Sequence, residues 1–356
     1  QTSFGDVDLQ VWSRILETES LSEYPGTAYP DSWDGINTAS ACLLVLDENL
    51  RLPEWLAYHY HALPLRYLVI SVDPRSQKSP SEILDRFRDQ GMIIVEWSDY
   101  NFTDWEQLPP TASRDKRIWR HRYRQRRFYE ACMTHLHHAN RTWTAMYDAD
   151  EFLTLKDTSN TTRELVSKEG WFIRYVQENN LTEAGCFSFP RVLFGAQEIP
   201  SDELHSDHPD ELDAVDPMRF DTLRFRYHAE HGHKLNGHGK AVIDVSKIRE
   251  HLPLYGKVPN PHRPLSICDR AMYHNVKSSP FLVHHYLGSW EAYSFRDDSR
   301  KHAERSREAW EYRASLDHIR NDQLSGWLKE FVALHGPERA SVLLHEAGLS
   351  PDYRSA

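Results

Sequence analysis

The sequence lacks any run of roughly 18 or more apolar residues, the length that a membrane-spanning helix needs. These 356 residues therefore contain no predicted membrane span. The chain begins at Gln1 with neither a methionine nor a signal peptide, so we expect upstream sequence to have been removed. No internal repeat is present, which argues against a repeat architecture.

Cysteine is scarce, and its spacing excludes the simplest metal-binding motifs. Cys42, Cys132, Cys186 and Cys268 include no CxxC pair, which argues against a zinc knuckle. Their even number fits one or two disulfides. Unpaired thiols buried in the core are an equally open interpretation.

Positive charge is in deficit, with 42 Lys and Arg against 53 Asp and Glu and a net charge of −11. This balance argues against general nucleic-acid binding, which depends on neutralising phosphates. One segment reverses it: residues 114–127 hold eight Lys or Arg and one acid, Asp115. The segment is either a solvated helix face or a wall that faces a diphosphate.

The residues that are abundant describe a folded protein. A hydrophobic fraction of 40% and an aromatic fraction of 12% predict a substantial core in one large α/β domain or two smaller ones. The aromatic content also suits stacking on sugars. Four N-glycosylation sequons (Asn-x-Thr) begin at Asn101, Asn140, Asn160 and Asn180, and together they predict a chain of the secretory pathway.

Strand and helix patterns alternate in the first half of the chain. Strands are predicted at 41–46, 66–72, 92–97 and 143–147, and helices at 54–61, 79–90 and 116–138. This order predicts a mostly parallel central sheet with helices on its faces and ligands at the carboxyl ends of the strands. After a strand at 187–194, a long loop is predicted over 196–220, then strands at 241–245 and 281–286, and charged amphipathic helix from 294.

An acidic motif stands directly after one of these strands. Asp148 and Asp150 follow the apolar run 143–147, and an extended chain would point both carboxylates to the same side. Acids are depleted in strand interiors, and a hard cation binds one or two such carboxylates together with substrate phosphates. The pattern predicts a divalent-cation site. Glu151, the next residue, has no assigned role beyond ending the strand.

Three other polar residues stand where a ligand is expected. Asp73 ends the second strand, and Lys240 precedes a later strand, where it is either a phosphate-binding point charge or an ordinary surface lysine. Gln125 lies on the apolar stripe of the helix 116–138, where an unpaired amide costs roughly 1–3 kcal/mol. Either the fold or a ligand must satisfy it.

Several segments resemble glycosyltransferase family 92 and its relatives with the GT-A fold. The resemblance covers about residues 41–298. The matching segments are LDEN at 46–49, LPEWLAYH at 52–59, YLVISVD at 67–73, Gln125 with Tyr129, Cys132 and 143–152, GKAV at 239–242 with Pro261 and His262, and His285, Tyr286, Ser289 and Glu291. Residues 196–240 do not align and are expected to face the acceptor.

The resemblance implies a GT-A (Rossmann-like) fold and transfer of a sugar from a nucleotide sugar, UDP-linked, to a glycan hydroxyl. It implies Mn²⁺ or Mg²⁺ held by Asp148, Asp150 and His285, with His284 the less favoured of the histidine pair. Nucleotide contacts are expected from Asp73, Gln125, Asp148 and Lys240. The cation would neutralise the charge that develops on the departing diphosphate.

The resemblance also implies inversion of configuration, which requires a carboxylate as general base. Asp221 and Glu230 are the candidates because they flank the unmatched loop, with Asp216 behind them. Other interpretations stay open: a retaining enzyme on the same scaffold, a silent glycan-binding protein that keeps the fold, and a metal-dependent phosphohydrolase.

The predicted organisation has three parts. An N-terminal extension, residues 1–40, precedes a catalytic domain at 41–298, whose nucleotide-sugar half is 41–155 and whose acceptor half is 156–298. A C-terminal helical segment covers 299–356. We expect a Golgi or other secretory-pathway location, with a membrane anchor in the missing upstream sequence, or secretion.

Overall fold

A computed structural model describes most of the chain. The described residues are 37–102, 108–109, 111–208, 215–230, 232–233, 236, 239–254, 256, 258, 262, 268, 280–295, 305–315 and 318–345. The predicted N-terminal extension lies outside them except for its last four residues.

The strands that the sequence predicts lie close to their predicted positions, whereas the strands at Glu151–Leu155, Tyr227–His228 and Ile319–Arg320 were not predicted. In the described residues the strands are β1 (Ala39–Val45), β2 (Leu65–Val72), β3 (Ile93–Trp97), β4 (Trp143–Met146), β5 (Glu151–Leu155), β6 (Cys186–Phe189), β7 (Arg191–Phe194), β8 (Tyr227–His228), β9 (Lys240–Asp244), β10 (Phe281–Tyr286) and β11 (Ile319–Arg320).

The helices fall mainly between strands and at the C-terminal end. They are α1 (Leu52–Ala62), α2 (Ser81–Arg88), α3 (Arg114–His138), α4 (Asn160–Ser167), α5 (Trp171–Glu178), α6 (Ser201–Asp207), α7 (Asp221–Arg224), α8 (Trp290–Phe295), α9 (Arg307–Ala314), α10 (Trp327–His335) and α11 (Pro337–Leu344).

The larger sheet has the order β3-β2-β1-β4-β9-β6 within the described residues. The pairs β1–β2, β2–β3 and β1–β4 are parallel, because a helix crosses over between each strand and the next along the chain. Strand β9 pairs antiparallel with both β4 and β6. The predicted α/β class, with a mostly parallel sheet flanked by helices, is confirmed.

After β4 the chain enters a second sheet through β5. Its order is β11-β8-β7-β10-β5 in the part of the chain that is described, and β10 pairs antiparallel with β5 and parallel with β7. The prediction of one continuous strand at 187–194 is wrong, because this segment forms two strands. Pro190, which lacks a backbone N–H, separates β6 in one sheet from β7 in the other.

The loop predicted over 196–220 is also wrong in part. Residues 201–207 form the helix α6, where Asp202 and Glu203 in the first turn complement the helix dipole. Residues 209–214 lie outside the described part of the chain, as do Leu235, Gly237 and His238 of the predicted glycine-rich approach to β9.

Helix α1 is buried along its whole length and fixes the position of β5. Trp55 Nε1 donates a 3.1 Å hydrogen bond to the carbonyl of Glu151, and the Tyr58 hydroxyl donates to the carbonyl of Leu153. Because β5 begins directly after the acidic motif, the LPEWLAYH segment holds the backbone beside the predicted cation site.

The four cysteines form two disulfides, which settles the alternatives that the sequence left open. Cys42–Cys132 joins β1 to α3, and Cys186 of β6 pairs with Cys268. Two disulfides fit a secreted or lumenal chain, since such bonds persist in oxidising compartments. Among the described residues, no helix has the length and apolarity needed to cross a membrane.

Candidate metal and nucleotide site

The acidic motif forms a turn between β4 and β5, at the carboxyl end of β4. The expected extended arrangement is wrong, because the chain reverses here: the Asp148 N–H donates to Glu151 Oε2 (2.9 Å), and the Glu151 N–H donates to the Asp148 carbonyl (3.1 Å). The Asp150 carbonyl accepts a hydrogen bond from the Tyr286 N–H (2.9 Å). The turn is therefore fixed to the end of β10.

Three side chains of this region form a group that fits a cation. One ligand atom from each of Asp150, Glu151 and His285 lies within 4.8 Å of the others. The β5–β10 register produces this group, because Glu151 and His285 are partners in the antiparallel ladder. His285 Nε2 lies 3.5 Å from Asp150 Oδ2.

Two buried atoms of the group make no hydrogen bond to the described residues. They are Glu151 Oε1 and His285 Nδ1. Arg191 Nη1 lies 3.8 Å from Glu151 Oε1, too far for a hydrogen bond. A buried acceptor without a hydrogen bond carries an energetic cost that coordination of a cation removes. Two carboxylates and an imidazole are suitable ligands for Mn²⁺ or Mg²⁺. Glu151 thus joins the predicted ligands Asp150 and His285.

Asp148 is engaged by Lys240 rather than by this group. Lys240 Nζ lies 2.7 Å from Asp148 Oδ2 and 2.8 Å from Glu151 Oε2, and its side chain is 1% exposed. Burial lowers the pKa of Lys240, but the two carboxylates outweigh burial and raise it above its usual value. Burial raises the pKa of Asp148, yet the charge of Lys240 brings it below its ordinary range. Lys240 is therefore a buried cation inside the acidic cluster.

Arg51 links the acidic turn to a second carboxylate. Its Nη1 lies 3.3 Å from Asp150 Oδ2, its Nε lies 3.0 Å from Asp221 Oδ2, and its Nη2 donates to the Leu287 carbonyl at 2.7 Å. The side chain is 5% exposed. Arg51 precedes α1 in an unremarkable loop, so no sequence signal distinguishes it from a surface arginine.

The two predicted base candidates occupy different places. Asp221 begins α7 beside Arg51, and its N–H donates to Glu54 Oε2 (2.9 Å). Burial, and then the charge of Asp221, raise the pKa of Glu54 to about 8. Glu230 is exposed. Neither Asp221 nor Glu230 lines the cavity described next.

A cavity of about 300 Å³ opens at the carboxyl ends of β1 and β4. Carboxylates, histidines and arginines from distant parts of the chain line it together. The polar lining residues are Glu48, Arg75, His121, Arg124, Gln125, Asp148, Asp150, Arg191, His285, Tyr286, Tyr293, Arg305 and Arg313. The structure thus brings together four predicted site residues: Gln125, Asp148, Asp150 and His285.

Gln125 lies on the cavity side of α3. Its side chain is half-buried against the cavity and makes no hydrogen bond to the described residues. The basic segment 114–127 has two sides. His121, Arg124 and Gln125 line the cavity, whereas the side chains of Arg114, Lys116 and Arg122 are exposed.

Asp73 lies behind the cavity wall. Its carboxylate is buried and pairs with Arg75 Nη2 and Arg124 Nη1, each at 2.8 Å. Burial alone raises the pKa of Asp73, but hydrogen bonds from Arg75 and the charge of Arg124 bring it below its usual value. Asp73 therefore orients two arginines that do line the cavity.

No protein-family model matches the chain, and no curated protein matches it significantly. The resemblance to family 92 thus stays a prediction. A mycobacterial protein of known crystal structure is similar to this chain, with 12% sequence identity and a TM-score of 0.30 over 70% of this chain. This chain spans 65% of that protein's length. The crystal structure of core-mannan synthase A from Aspergillus fumigatus, in an Mn/GDP form, is a second similar structure, with 10% sequence identity and a TM-score of 0.25. The match covers 65% of this chain and 72% of the synthase chain. Likenesses this weak do not establish a shared fold.

Proposed function

We propose that this protein is a metal-dependent glycosyltransferase of the GT-A type, which moves a sugar from a nucleotide sugar to a hydroxyl of a glycan. The observation that supports the proposal is the cavity itself. A group of cation ligands, Asp150, Glu151 and His285, lies beside a wall of arginines at the carboxyl ends of parallel strands. That combination suits a divalent cation and a diphosphate bound side by side.

Asp150, Glu151 and His285 hold the cation in this proposal, and the imidazole favours Mn²⁺ over Mg²⁺. When bound, the cation neutralises negative charge on the leaving diphosphate. Arg75 and Arg124, oriented by Asp73, donate hydrogen bonds to phosphate oxygens.

The half-exposed Asp148, held by Lys240, contacts the ribose, and the Gln125 amide hydrogen-bonds to the nucleotide. Both side chains line the cavity, and Gln125 brings an amide that the described residues leave without a partner. A UDP-linked donor follows from the family resemblance.

We propose that transfer proceeds with inversion and that Asp221 is the general base. Arg51 ties Asp221 to the cation ligand Asp150, which places the two carboxylates beside the same guanidinium. Neither carboxylate lines the cavity, but Glu230 is exposed whereas Asp221 is linked to Asp150 through Arg51, so Glu230 is the weaker candidate. A retaining enzyme would need no such base. The anomeric configuration of the product distinguishes the two mechanisms.

The proposed location is the lumen of the Golgi or of another part of the secretory pathway, or the outside of the cell. The disulfides support an oxidising compartment. The four sequon asparagines are exposed, so each can carry a glycan without disturbing the core.

Calorimetric titration of UDP tests the function. We expect binding in Mn²⁺, loss of binding in EDTA, and loss of binding in Asp150→Ala. A matched control is Asp157→Ala, which removes an exposed carboxylate after β5. GDP is titrated in parallel. If neither nucleotide binds wild-type protein under any condition, the enzyme proposal is wrong and a silent glycan-binding protein explains the fold better.

A further inference from the structure

Helix α9 contributes to the cavity, although the sequence places it outside the catalytic domain. Arg305, which lies two residues before α9, and Arg313, within it, both line the cavity. The predicted boundary at residue 298 therefore separates residues that share one cavity.

Helix α9 is attached to the segment that follows the cation ligand His285. Trp310 Nε1 donates a 3.1 Å hydrogen bond to the carbonyl of Gly288. The Arg307 guanidinium lies 5.1 Å from the ring centroid of Trp290 and 4.6 Å from that of Trp310. The Arg307 side chain is 51% exposed, so these cation–π contacts add only modestly to the hydrogen bond from Trp310.

The arginines of the cavity differ in how far carboxylates already engage them. Asp73 pairs with Arg75 and also with Arg124. Arg191 Nη1 lies 3.8 Å from Glu151 Oε1. Arg305 stacks over the Tyr293 ring at 4.6 Å.

Arg313 is the exception. Its side chain is half-buried and makes no hydrogen bond or ion pair to the described residues. A guanidinium that faces a cavity without a counter-charge is a site for an anionic group. Its planar fork matches the oxygens of a phosphate.

We propose that Arg313, assisted by Arg305, binds the diphosphate of the donor, so that α9 is part of the donor site. This inference rests on the proposed function for the identity of the donor. The chemical class of the ligand is a nucleoside diphosphate, with the arginines contacting its phosphates and not its base.

The test compares Arg313→Ala with wild type by calorimetry in Mn²⁺, with UDP, GDP and inorganic pyrophosphate as separate ligands. Hydrogen bonds to charged groups are worth about 1.5–3 kcal/mol, so we expect about tenfold to a hundredfold weaker binding of pyrophosphate and of the nucleotide that binds. Uridine or guanosine binding should not change. Arg313→Lys keeps the charge without the fork and should give an intermediate loss.

Arg174→Ala is the matched control, because Arg174 is exposed on α5 and its removal changes the net charge equally. Thermal midpoints verify that both variants fold. If wild type binds a nucleoside diphosphate and Arg313→Ala binds it equally well, this inference is wrong and the proposed function stands. If wild type binds pyrophosphate through Arg313 but neither UDP nor GDP, the anion site is supported and the donor assignment fails. If wild type binds none of the three ligands, both proposals fail.

Discussion

Lys240 donates a 2.7 Å hydrogen bond to Asp148 and so joins β9 to the acidic turn across 92 residues of sequence. The same ammonium lies 2.8 Å from Glu151, whose side chain is 0% exposed. Burial raises the pKa of Glu151, and the charge of Lys240 opposes that rise. The cluster of acids at the site thus depends on an internal cation for its stability.

Lys240→Met should therefore destabilise the fold strongly. Removing one partner of a buried ion pair leaves an uncompensated charge and costs about 3–5 kcal/mol. Lys247→Met is the control, since Lys247 pairs with the exposed Glu183 and its loss should cost about 1 kcal/mol or less. Chemical denaturation measures both. Equal costs for the two variants would show that the Lys240 pair contributes no more than a surface contact.

Gly288→Ala should displace Arg51. Gly288 has a φ of +76°, and a Cβ there would lie 2.0 Å from Arg51 Nη2. Arg51 can yield only by leaving Asp150, Asp221 and the Leu287 carbonyl. We expect a larger loss of unfolding free energy than for Gly336→Ala.

Gly336 is a matched control because its φ is +79° and its Cβ would meet nothing within 4 Å. At Gly336, where ψ is 154°, the backbone strain alone costs about 1–3 kcal/mol. In an Arg51→Ala background, Gly288→Ala should cost less, because only backbone strain and the 3.0 Å approach of the Cβ to Asp221 Oδ2 would remain. If Gly288→Ala lowered the free energy of unfolding as much in the Arg51→Ala variant as in wild type, Arg51 would not be the residue that excludes a Cβ at position 288.

Glu54 should make stability fall as the pH rises. Its pKa is about 8 in the folded protein and near 4.5 in the unfolded chain, so between these values the folded state holds the extra proton. The contribution is fully present below pH 4.5 and is lost as the pH rises to 8, at up to about 1.4 kcal/mol per pH unit.

Glu54→Gln removes this group and should flatten the fall, although it also alters the hydrogen bonds to Asp221 and Thr222 and lowers stability throughout. Unfolding free energies measured at pH 5, 6.5 and 8 give the difference in slope between the two proteins. Parallel curves would contradict the raised pKa.

The disulfide Cys42–Cys132 closes a segment of 90 residues between β1 and α3. Replacing both cysteines with alanine should lower the free energy of unfolding by about 2–5 kcal/mol. Denaturation of wild type and of the double variant without a reducing agent supplies the comparison. A reducing agent also opens Cys186–Cys268, so it should lower the midpoint of the double variant less than that of wild type, which loses both bonds. An unchanged midpoint in the double variant would show that packing alone secures α3 to the sheet.

Local patterns predicted the alternating strands and helices of the first half because each element carries its own periodicity. Asp150 was predicted from its place after an apolar run, Gln125 from its place on the apolar stripe of a helix, and His285 through the family resemblance. All three line the cavity. The turn at Asp148 was not visible, since it depends on a hydrogen bond to the Glu151 side chain.

Arg51, Arg313 and the ion pairs of Lys240 were not predicted, for another reason. The contacts of Arg51 join residues 99 and 236 positions apart, which only the packed sheets bring together. Nothing near Arg51 or Arg313 in sequence separates them from the many surface arginines. Lys240 was found, but its partners are carboxylates and not the phosphate that its position suggested.

Two consecutive carbonyls after β10 serve two different neighbours. The Leu287 carbonyl accepts from Arg51, which holds Asp150, and the Gly288 carbonyl accepts from Trp310 of α9. A single dipeptide is therefore the shared support of the cation ligands and of Arg313. A coupling between the two sides would be reciprocal: a cation at Asp150 that changed the affinity of Arg313 for an anion by some factor would itself be bound with an affinity changed by the same factor.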